Sequence, residues 1–439
     1  MRTVVLLPGI MGSTLVVDGE TVWPPTVTEL VLGYRRIEKL ASPRALPGDL
    51  IRSVSCFPIY QSLIDQLGQW GFAESAVGGS SGRLVCWPYD WRVDVRTSAA
   101  KLAQELERLA SGGAEIGLLA HSMGGLVSRC ALELEQPNGV AWRASVRQLV
   151  TMGTPHRGAP IALVYALGQQ GTLGLDAPDI RRLAATPGFP STYQLIPPGD
   201  AFGFWSRESG AVPLQPVDVL APNLFELGAE NVRAAIELQR ALGAGARPQG
   251  CRYFSFVGRE LETAIRADVV SGPALDPVKE DDGGDGTVPV WSGTLAGAQF
   301  QLDGDSHIRT FRNASLLATL AELLEVAPEL RAAPAAAPWL TLSLPRHVFE
   351  PGETVRASLK VHGDAIADLA LEVRALDDAG REIGPPLDAT AVGPVKAGAS
   401  LRVDVKLPTE PGLYALAARS GAAALRDEPV PFSVRAPVH

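Results

Sequence analysis

The segment that most constrains the fold is the run Ile116-Gly-Leu-Leu-Ala-His-Ser-Met-Gly-Gly125. Its first half is an apolar run typical of a buried strand, and apolar residues at helical spacing follow over residues 126–134. Ala120 and Gly124 stand two positions before and two after Ser122. Such small residues permit a sharp strand-to-helix turn, and alanine is small enough where glycine is usual. The run predicts a nucleophile elbow at Ser122; a Gly-rich turn with an incidental serine is the alternative.

Short apolar runs and amphipathic patterns alternate on both sides of this elbow. Buried strands are predicted over residues 4–7, 84–87, 116–120, 149–152, 253–257 and 300–302. Helices are predicted over residues 60–70, 98–109, 126–134 and 314–324. Strands separated by helices indicate a doubly wound, mostly parallel sheet covered on both faces. With the elbow, this pattern predicts the α/β-hydrolase fold.

Two long segments and a C-terminal region depart from this alternation. Residues 18–55 and 160–250 have no clear period, and insertions of that length predict a lid and a cap. An Ala/Pro linker follows at residues 331–338. Residues 339–439 alternate apolar with polar positions between turn signals, which predicts an all-β, immunoglobulin-like sandwich. The expected organisation is a catalytic domain over residues 1–330, then the linker and the sandwich.

The charge balance argues against two classes of partner. The chain has 39 Lys and Arg residues against 48 Asp and Glu, a net charge of −9. Nucleic-acid binding and docking on an anionic membrane by bulk charge are therefore not expected. The first residues are typical of a strand rather than a signal peptide, and no run of about 18 apolar residues occurs. A cytoplasmic location is expected, with peripheral membrane contact through apolar residues as an open possibility.

A serine hydroxyl needs a base, and the chain has six histidines. His307 follows a predicted strand and precedes the last predicted helix, so it is the preferred base. His121 would be turned away from its neighbour's hydroxyl, and His156 precedes any plausible acid, which favours a structural role. The three remaining histidines belong to the C-terminal region or its end: His347, His362 and His439.

The acid is expected between Ser122 and His307, in the run Asp281-Asp-Gly-Gly-Asp-Gly-Thr-Val-Pro289. Asp285, flanked by glycines, is the best placed, and Asp282 is the alternative. A calcium loop is a competing interpretation, but the alternation and terminal glutamate of such a loop are missing. We therefore expect no metal and no cofactor. Two further carboxylates, Asp303 and Asp305, should shape the loop of His307.

Two backbone amides are expected to form an oxyanion hole. One is the N–H of Met123, directly after the nucleophile. The other should come from the loop Pro8-Gly-Ile-Met-Gly12 after the first strand, where the glycines let amides approach the substrate. Ile10 or Met11 is the candidate donor.

Five motifs together resemble the lecithin–cholesterol acyltransferase family, which includes lysosomal phospholipase A2 and phospholipid–diacylglycerol acyltransferases. They are Pro8-Gly-Ile-Met-Gly-Ser-Thr-Leu15, Pro88-Tyr-Asp-Trp-Arg92, Ala120-His-Ser-Met-Gly-Gly125, Tyr193-Gln-Leu-Ile-Pro-Pro198 and Gly284-Asp-Gly-Thr-Val-Pro289. The resemblance covers roughly residues 1–327 and leaves out the sandwich.

The resemblance implies Ser122 as nucleophile, Asp285 as acid and His307 as base, with the amides of Ile10 and Met123 as oxyanion donors. It also implies a lipid-ester substrate met at a membrane or micelle surface, with the acyl group passed to water or to an alcohol.

Four cysteines, Cys56, Cys86, Cys130 and Cys251, lie far apart and form no CxxC pair. Free thiols are the expectation for such a chain. In secreted or lysosomal relatives a disulfide pins the lid, and the resemblance places Cys56 near one half of it. Cys86, within a predicted strand, would be its partner in the alternative interpretation.

Several residues in the predicted catalytic domain have two interpretations. The groove candidates either line an acyl-binding groove or fill the core beneath the lid. Asp90 and Arg92, at a strand end, either act on substrate or form a buried pair that anchors the cap. The groove candidates are Met11, Trp23, Trp87, Phe202, Phe204 and Trp205.

The resulting hypothesis is a serine enzyme that forms an acyl-serine from lipid esters. A small-ester carboxylesterase or amidase on the same fold is one alternative. A binding or effector scaffold, with the sandwich as its active part, is another, and an intact triad argues against it. The sandwich itself indicates no ligand or protein partner.

Overall fold

The computed structural model describes residues 1–54, 57–172, 174–207, 215–270, 274–331, 339–421, 425 and 429–435. The predicted linker lies mostly outside these residues. The strands up to residue 303 are β1 Arg2–Leu7, β2 Ser13–Val17, β3 Glu20–Trp23, β4 Leu46–Leu50, β5 Ser53–Val54, β6 Phe57–Pro58, β7 Phe72–Ala73, β8 Gly82–Cys86, β9 Glu115–His121, β10 Val146–Met152, β11 Phe204–Arg207, β12 Gln215–Pro216, β13 Arg252–Gly258, β14 Leu261–Val270, β15 Ala274–Gly284 and β16 Gln299–Asp303.

The helices alternate with these strands. They are α1 Val27–Leu32, α2 Ile37–Leu40, α3 Gln61–Gln69, α4 Val95–Ser111, α5 Met123–Glu133, α6 Ile161–Ala166, α7 Ala177–Ala185, α8 Ser191–Gln194, α9 Ala229–Ala244, α10 Val290–Gly293 and α11 Ala314–Leu323. The four helices expected from apolar spacing correspond to α3, α4, α5 and α11.

Seven strands form the central sheet, in the order β16-β13-β10-β9-β1-β8-β7, and every pairing is parallel. Alternate side chains of β1 enter different cores, because successive residues of a strand point to opposite faces. Val5 and Leu7 pack in the cluster that contains residues of α4 and α5. Val4 and Leu6 pack in the cluster that contains residues of α3 and α11. The doubly wound parallel sheet expected from the sequence is confirmed.

The prediction of a buried strand over residues 300–302 is wrong in one respect. A strand forms there, β16, but it lies at the edge of the sheet. Phe300 and Leu302 are exposed, at 52% and 40%. An apolar run does not by itself distinguish a central strand from an edge strand.

The predicted lid, residues 18–55, is described up to residue 54. It contains the short helices α1 and α2 and the strands β3 and β4, which pair with β2 just before the lid in a three-stranded sheet of order β3-β2-β4. Thr26 caps α1 in a reciprocal capping box with Glu29. Its apolar residues, among them Trp23 and Leu40, belong to the same core cluster as α4 and α5. The lid is thus packed onto the central sheet.

The predicted cap has helices α6 to α9 and part of a four-stranded sheet in the order β12-β11-β14-β15. The hairpin β14–β15 follows β13, so the cap includes residues beyond 250. Asp285 follows this hairpin directly, one residue after β15 ends. The acidic turn is predictable from the sequence but the hairpin before it is not, because residues 261–284 have no clean period-two alternation.

The C-terminal region forms two sheets of mostly antiparallel strands, which pack on a common core. One has the order β17-β19-β22 and the other the order β18-β24-β23-β20-β21. The expected β-sandwich is confirmed. The strands are β17 Trp339–Ser343, β18 Val348–Phe349, β19 Thr354–His362, β20 Ile366–Leu376, β21 Glu382–Val395, β22 Ser400–Lys406, β23 Gly412–Ser420 and β24 Val430–Val434.

Within the described ranges, no helix combines the length and the apolar character needed to cross a bilayer.

Candidate active site

The turn between β9 and α5 has the geometry of a nucleophile elbow. Ser122 has φ 50° and ψ −127°, a conformation that few side chains adopt. Its N–H donates to the Met152 carbonyl at 2.9 Å, and its carbonyl accepts from the Thr154 hydroxyl at 2.9 Å. Gly124 is required here, because a Cβ would overlap the Pro8 carbonyl oxygen. Ser122 precedes α5 without capping it, which leaves its hydroxyl available.

Three side chains from distant parts of the chain meet at this turn. The Ser122 Oγ lies 2.9 Å from His307 Nε2, and His307 Nδ1 lies 2.7 Å from Asp285 Oδ2. The backbone joins the last two residues again, since the His307 N–H donates to the Asp285 carbonyl at 2.9 Å. The structure therefore brings together the three residues expected from the sequence, in the geometry of a nucleophile, its base and an orienting acid.

Asp285 is held in place by its own turn. Its Oδ1 accepts from the N–H groups of Thr287 at 3.0 Å and Val288 at 2.7 Å. Its side chain is 3% exposed and that of His307 is 12% exposed. The alternative acid, Asp282, is exposed and pairs with Arg259 at 3.1 Å. Asp285, and not Asp282, is thus the residue that contacts the base.

A second chain of hydrogen bonds lies behind the triad. His121 Nε2 is 2.9 Å from the His307 carbonyl oxygen, and His121 Nδ1 is 2.7 Å from the Tyr60 hydroxyl. The Gly9 N–H donates to that hydroxyl at 2.8 Å. A carbonyl oxygen only accepts, so Nε2 of His121 carries the proton and Nδ1 accepts from Tyr60. Burial and the neighbouring His307 hold the pKa of His121 well below its usual range, consistent with a neutral ring.

The loop expected to form the oxyanion hole is fixed by three aromatic side chains. Tyr60 accepts from Gly9, the Tyr89 hydroxyl donates to the Pro8 carbonyl at 2.9 Å, and the Trp23 indole N–H donates to the Met11 carbonyl at 2.8 Å.

The loop also contains one residue in a strained backbone conformation. Met11 has φ 63°. Among the described residues, no acceptor bonds the N–H of Ile10 or of Met123. Both amides are therefore free to donate to an oxyanion.

The six candidate groove residues lie in different settings. Trp23 and Phe204 are each 1% exposed and packed in hydrophobic cores, so they do not line a groove. Phe202 is 57% exposed on the cap, where its carbonyl accepts from the Trp205 indole at 2.9 Å. Only Met11 and Trp87 are partly buried next to core residues of the active-site region. The sequence could not separate these settings, because a core and a groove require the same apolar residues.

Asp90 and Arg92 form a buried pair, as the structural alternative predicted. The Arg92 guanidinium meets both carboxylate oxygens of Asp90, with Nη2 to Oδ2 at 2.7 Å. Arg92 also donates to three lid carbonyls, those of Leu40, Ser42 and Ala45. The pair therefore anchors the lid, and it also contacts the cap, where Arg92 Cζ lies 4.3 Å from the centre of the Phe189 ring.

The other histidine and carboxylate candidates have structural surroundings. His156 is buried near the hydroxyls of Thr151 and Ser255, and burial lowers its pKa. Asp303 and Asp305 are buried in the loop before His307, and burial raises the pKa of Asp305 to about 7. Within the described residues, no group of three or more His, Cys, Asp or Glu side chains is placed to hold a metal ion.

The disulfide alternative involves Cys56, which lies outside the described residues. Its suggested partner, Cys86, has a free thiol, as do Cys130 and Cys251. Burial raises the pKa of the Cys86 thiol to about 12.

A doubly wound parallel sheet with a serine elbow, followed in the chain by an acid and then a base, defines the α/β-hydrolase class. A solved structure agrees with this assignment of fold. A chain of the structure titled "The crystal structure of Tle4-Tli4 complex" has a TM-score of 0.53 and 15% identity, covering 74% of this chain and 98% of that chain.

The more particular relationship comes from sequence comparison. Residues 30–218 match the family model "Lecithin:cholesterol acyltransferase". The protein "Lecithin-cholesterol acyltransferase-like 4" of Arabidopsis thaliana is 27% identical over 146 residues, which are 32% of this chain and 25% of that protein. This chain thus matches about a quarter of that relative's length. The resemblance to the lecithin–cholesterol acyltransferase family is confirmed over residues 30–218, which contain Ser122.

Sequence reasoning missed the residues that hold the site. Tyr60 has no local sequence signal of its role. His121 was recognised as turned away from Ser122 but not as a support for His307. Trp23, for which the sequence leaves a groove and the core open, lies in the core and donates to the Met11 carbonyl. The only available signal was the occurrence of Tyr89 within the specific motif at residues 88–92.

Proposed function

We propose that this chain is a serine lipid-ester hydrolase or acyltransferase. The observation that carries the proposal is the hydrogen-bonded chain from the Ser122 hydroxyl through His307 to Asp285. Such a chain makes a serine nucleophilic and has no comparable structural purpose in a buried turn. The match to the acyltransferase family model over residues 30–218 supports lipid esters as substrates, because this region includes most of the lid and cap.

The geometry supports the following acylation step. His307 Nε2 takes the proton of Ser122 as its Oγ attacks the ester carbonyl carbon, and Asp285 stabilises the imidazolium through Nδ1. The carbonyl oxygen becomes an oxyanion, which the N–H groups of Ile10 and Met123 stabilise. His307 then gives its proton to the leaving alcohol or lysolipid as the ester C–O bond breaks. An acyl-serine remains on Ser122.

Deacylation repeats these steps with a different nucleophile. His307 takes a proton from water or from an acceptor alcohol, whose oxygen attacks the acyl-serine. The acyl group leaves as a fatty acid or as a new ester. Water exclusion by the lid and cap decides between the two outcomes.

The experiment compares wild type with Ser122→Ala on mixed phospholipid vesicles, with and without a long-chain alcohol. We expect the wild type to release lysolipid and fatty acid, and to form a new ester if it is an acyltransferase. Ser122→Ala should lose this turnover while remaining folded by circular dichroism. Turnover by purified Ser122→Ala would overturn the proposal. Activity confined to short soluble esters, with no gain on vesicles, would favour a carboxylesterase instead.

A further inference from the structure

The loop that carries His307 is supported from outside the central sheet. Residues 304–309 follow β16, an edge strand that pairs only with β13. The hydrolase region contributes two backbone bonds across the loop, from the Arg259 N–H to the Asp303 carbonyl at 2.8 Å and from the His307 N–H to the Asp285 carbonyl at 2.9 Å. An edge loop with few such bonds is free to shift unless other contacts hold it.

Besides the bond from His121 to the His307 carbonyl, strand β17 of the C-terminal sandwich supplies such contacts. Arg309 Nη1 donates to the Leu342 carbonyl of β17 at 3.1 Å. The Thr341 hydroxyl of β17 lies 3.4 Å from the Gly304 carbonyl. Both bonds join the sandwich to the loop within three residues of His307.

An ion pair between the sandwich and the hydrolase region lies beside the same loop. Lys360 of β19 pairs with Glu260, whose carboxylate lies against Gly304, so that a Cβ on this glycine would overlap it. The Lys360 and Glu260 side chains are 24% and 35% exposed, so the pair is partly shielded from water. Shielding makes such a pair stronger than one on the open surface.

The sandwich is also fixed at a second, separate point, and therefore has a defined orientation. Arg435 is 5% exposed and donates to the Gly174 carbonyl of the cap at 2.9 Å. It pairs with Asp176 and lies against Gly33 of the lid. Three sandwich side chains share the core that contains lid and cap residues: Leu376, Leu413 and Ala415.

From these contacts we propose that the sandwich positions the catalytic base, with Arg309 and the Lys360–Glu260 pair as positioning residues. The proposal rests on the proposed function, because it requires His307 to activate Ser122. None of these residues touches the reacting atoms. They act by holding the loop, and a displacement of about 1 Å at a reacting group can cost on the order of a hundredfold in rate.

The test is a charge swap in the full-length protein. Lys360→Glu or Glu260→Lys alone places like charges together beside Gly304, and the double variant restores an opposite pair. Two assays are used: the rate constant for labelling of Ser122 by a fluorophosphonate probe, and kcat and KM on p-nitrophenyl butyrate.

We expect each single variant to lose at least about tenfold in labelling rate and kcat, with KM unchanged within about twofold. The double variant should recover to within about threefold of wild type. Arg309→Met should show the same loss as the single variants.

A matched control lies in the same sheet of the sandwich. Arg356 and Asp404 form a cross-strand ion pair at 3.1 Å, with both side chains more than 60% exposed. The corresponding single variants, Arg356→Glu and Asp404→Arg, should leave both rates unchanged. Rates are expressed per labelled site, so that a loss of folded protein does not count as a loss of positioning.

The outcomes separate this inference from the proposed function. Single variants that label at the wild-type rate would overturn the positioning role, as would a double variant that stays as slow as the singles. In both cases a labelled wild type would leave the proposed function intact. A folded wild type that the probe does not label would instead contradict the proposed function itself.

Discussion

Ser122 keeps an unfavourable backbone conformation because its neighbours fix both of its peptide groups. Its N–H is bonded to Met152 of β10, and its carbonyl is bonded to the Thr154 hydroxyl beyond that strand. A φ of 50° costs on the order of 1 kcal/mol or more for a residue with a side chain. In this conformation the Ser122 hydroxyl lies 2.9 Å from His307 Nε2.

Asp285 should be indispensable while its near neighbour in sequence is not. Asp285→Asn keeps the size of the side chain but removes the charge that stabilises the imidazolium, and it disfavours the required tautomer of His307. We expect kcat on a p-nitrophenyl ester to fall by a factor on the order of 10³ to 10⁴. Asp282→Asn, which removes only an exposed ion pair, is the control and should retain wild-type kcat. Equal losses in the two variants would contradict the assignment of the acid.

Tyr60 supports the oxyanion loop and the base together, through Gly9 and His121. Tyr60→Phe removes one hydroxyl, leaving the Gly9 N–H and the His121 Nδ1 without their partner. We expect kcat to fall about tenfold with KM little changed, because the loss of a buried hydrogen bond is worth roughly 1 to 3 kcal/mol.

Tyr414→Phe is the matched control for Tyr60→Phe. It removes a tyrosine hydroxyl that donates to the Glu410 carbonyl at 2.7 Å, within the sandwich. Stability should fall modestly and kcat should stay unchanged. A Tyr60→Phe enzyme with wild-type kcat would show that the hydrogen-bond chain has no part in positioning.

The lid is connected to the central sheet through the motif at residues 88–92. Trp91 donates its indole N–H to the Ser13 carbonyl at 3.1 Å, and the Tyr89 N–H donates to the Ser13 hydroxyl at 3.1 Å. Arg92 reaches the lid carbonyls of Leu40, Ser42 and Ala45. One short motif after β8 thus fixes the oxyanion loop and the lid in one arrangement.

Arg92→Met should destabilise the fold more than any exposed lid substitution. It leaves Asp90 charged and buried without a partner and removes donors to three carbonyls, which costs about 3 to 5 kcal/mol of unfolding free energy. Arg44→Met removes an exposed pair with Asp18 in the same lid and should cost less than about 1 kcal/mol. Urea unfolding measures both. A similar small loss in the two variants would show that Arg92 does not anchor the lid.

At the level of elements, the sequence predicted what regular spacing encodes. Six of the seven strands of the central sheet, all but β7, and four of the helices follow from apolar periodicity. The triad follows from the elbow and the chain order of acid and base. The lid and cap could not be predicted in detail, because their helices and strands are short and stabilised by contacts distant in sequence. Arg92 with Leu40, and Trp23 with Met11, are such contacts.

The relation between the two halves of the molecule was also beyond sequence reasoning. Alternation predicted the strands of the sandwich, since each has one face in its own core. The contacts of Arg309, Lys360 and Arg435 join single residues far apart in the chain and leave no periodic pattern. No sequence pattern therefore predicts that the sandwich packs against the base loop, the lid and the cap.

The stability of the whole molecule should fall in mild acid. Burial lowers the pKa of four histidines, His121, His156, His347 and His362, the last to about 4. Below pH 6.5 the unfolded chain therefore binds protons that the folded chain does not. Asp305 acts in the opposite sense, because its raised pKa of about 7 lets the folded chain bind a proton first.

Burial also raises the pKa of Asp179 and Asp303, so four histidines stand against three carboxyl groups. The larger number of histidines leaves a net loss of stability as the pH falls. Each proton that the unfolded chain binds in excess of the folded chain lowers the unfolding free energy by roughly 1.4 kcal/mol per pH unit. This holds in the pH window between the folded and the unfolded pKa of the group. We expect the unfolding free energy in urea to be lower at pH 5.5 than at pH 7.5. His362→Asn should reduce this difference, since it removes one of the four groups. A stability that is constant or rises over this range would contradict the burial of neutral histidines.

The central claim is that Ser122, activated by His307, is the residue through which lipid esters are cleaved. The most direct measurement labels the wild-type protein with a fluorophosphonate, maps the adduct by peptide mass spectrometry and assays the labelled protein on phospholipid vesicles. We predict one adduct per molecule, on the peptide that contains Ser122, and a loss of lipid-ester turnover in proportion to labelling. An adduct on another residue, no adduct on folded protein, or full turnover by the labelled protein would contradict the claim.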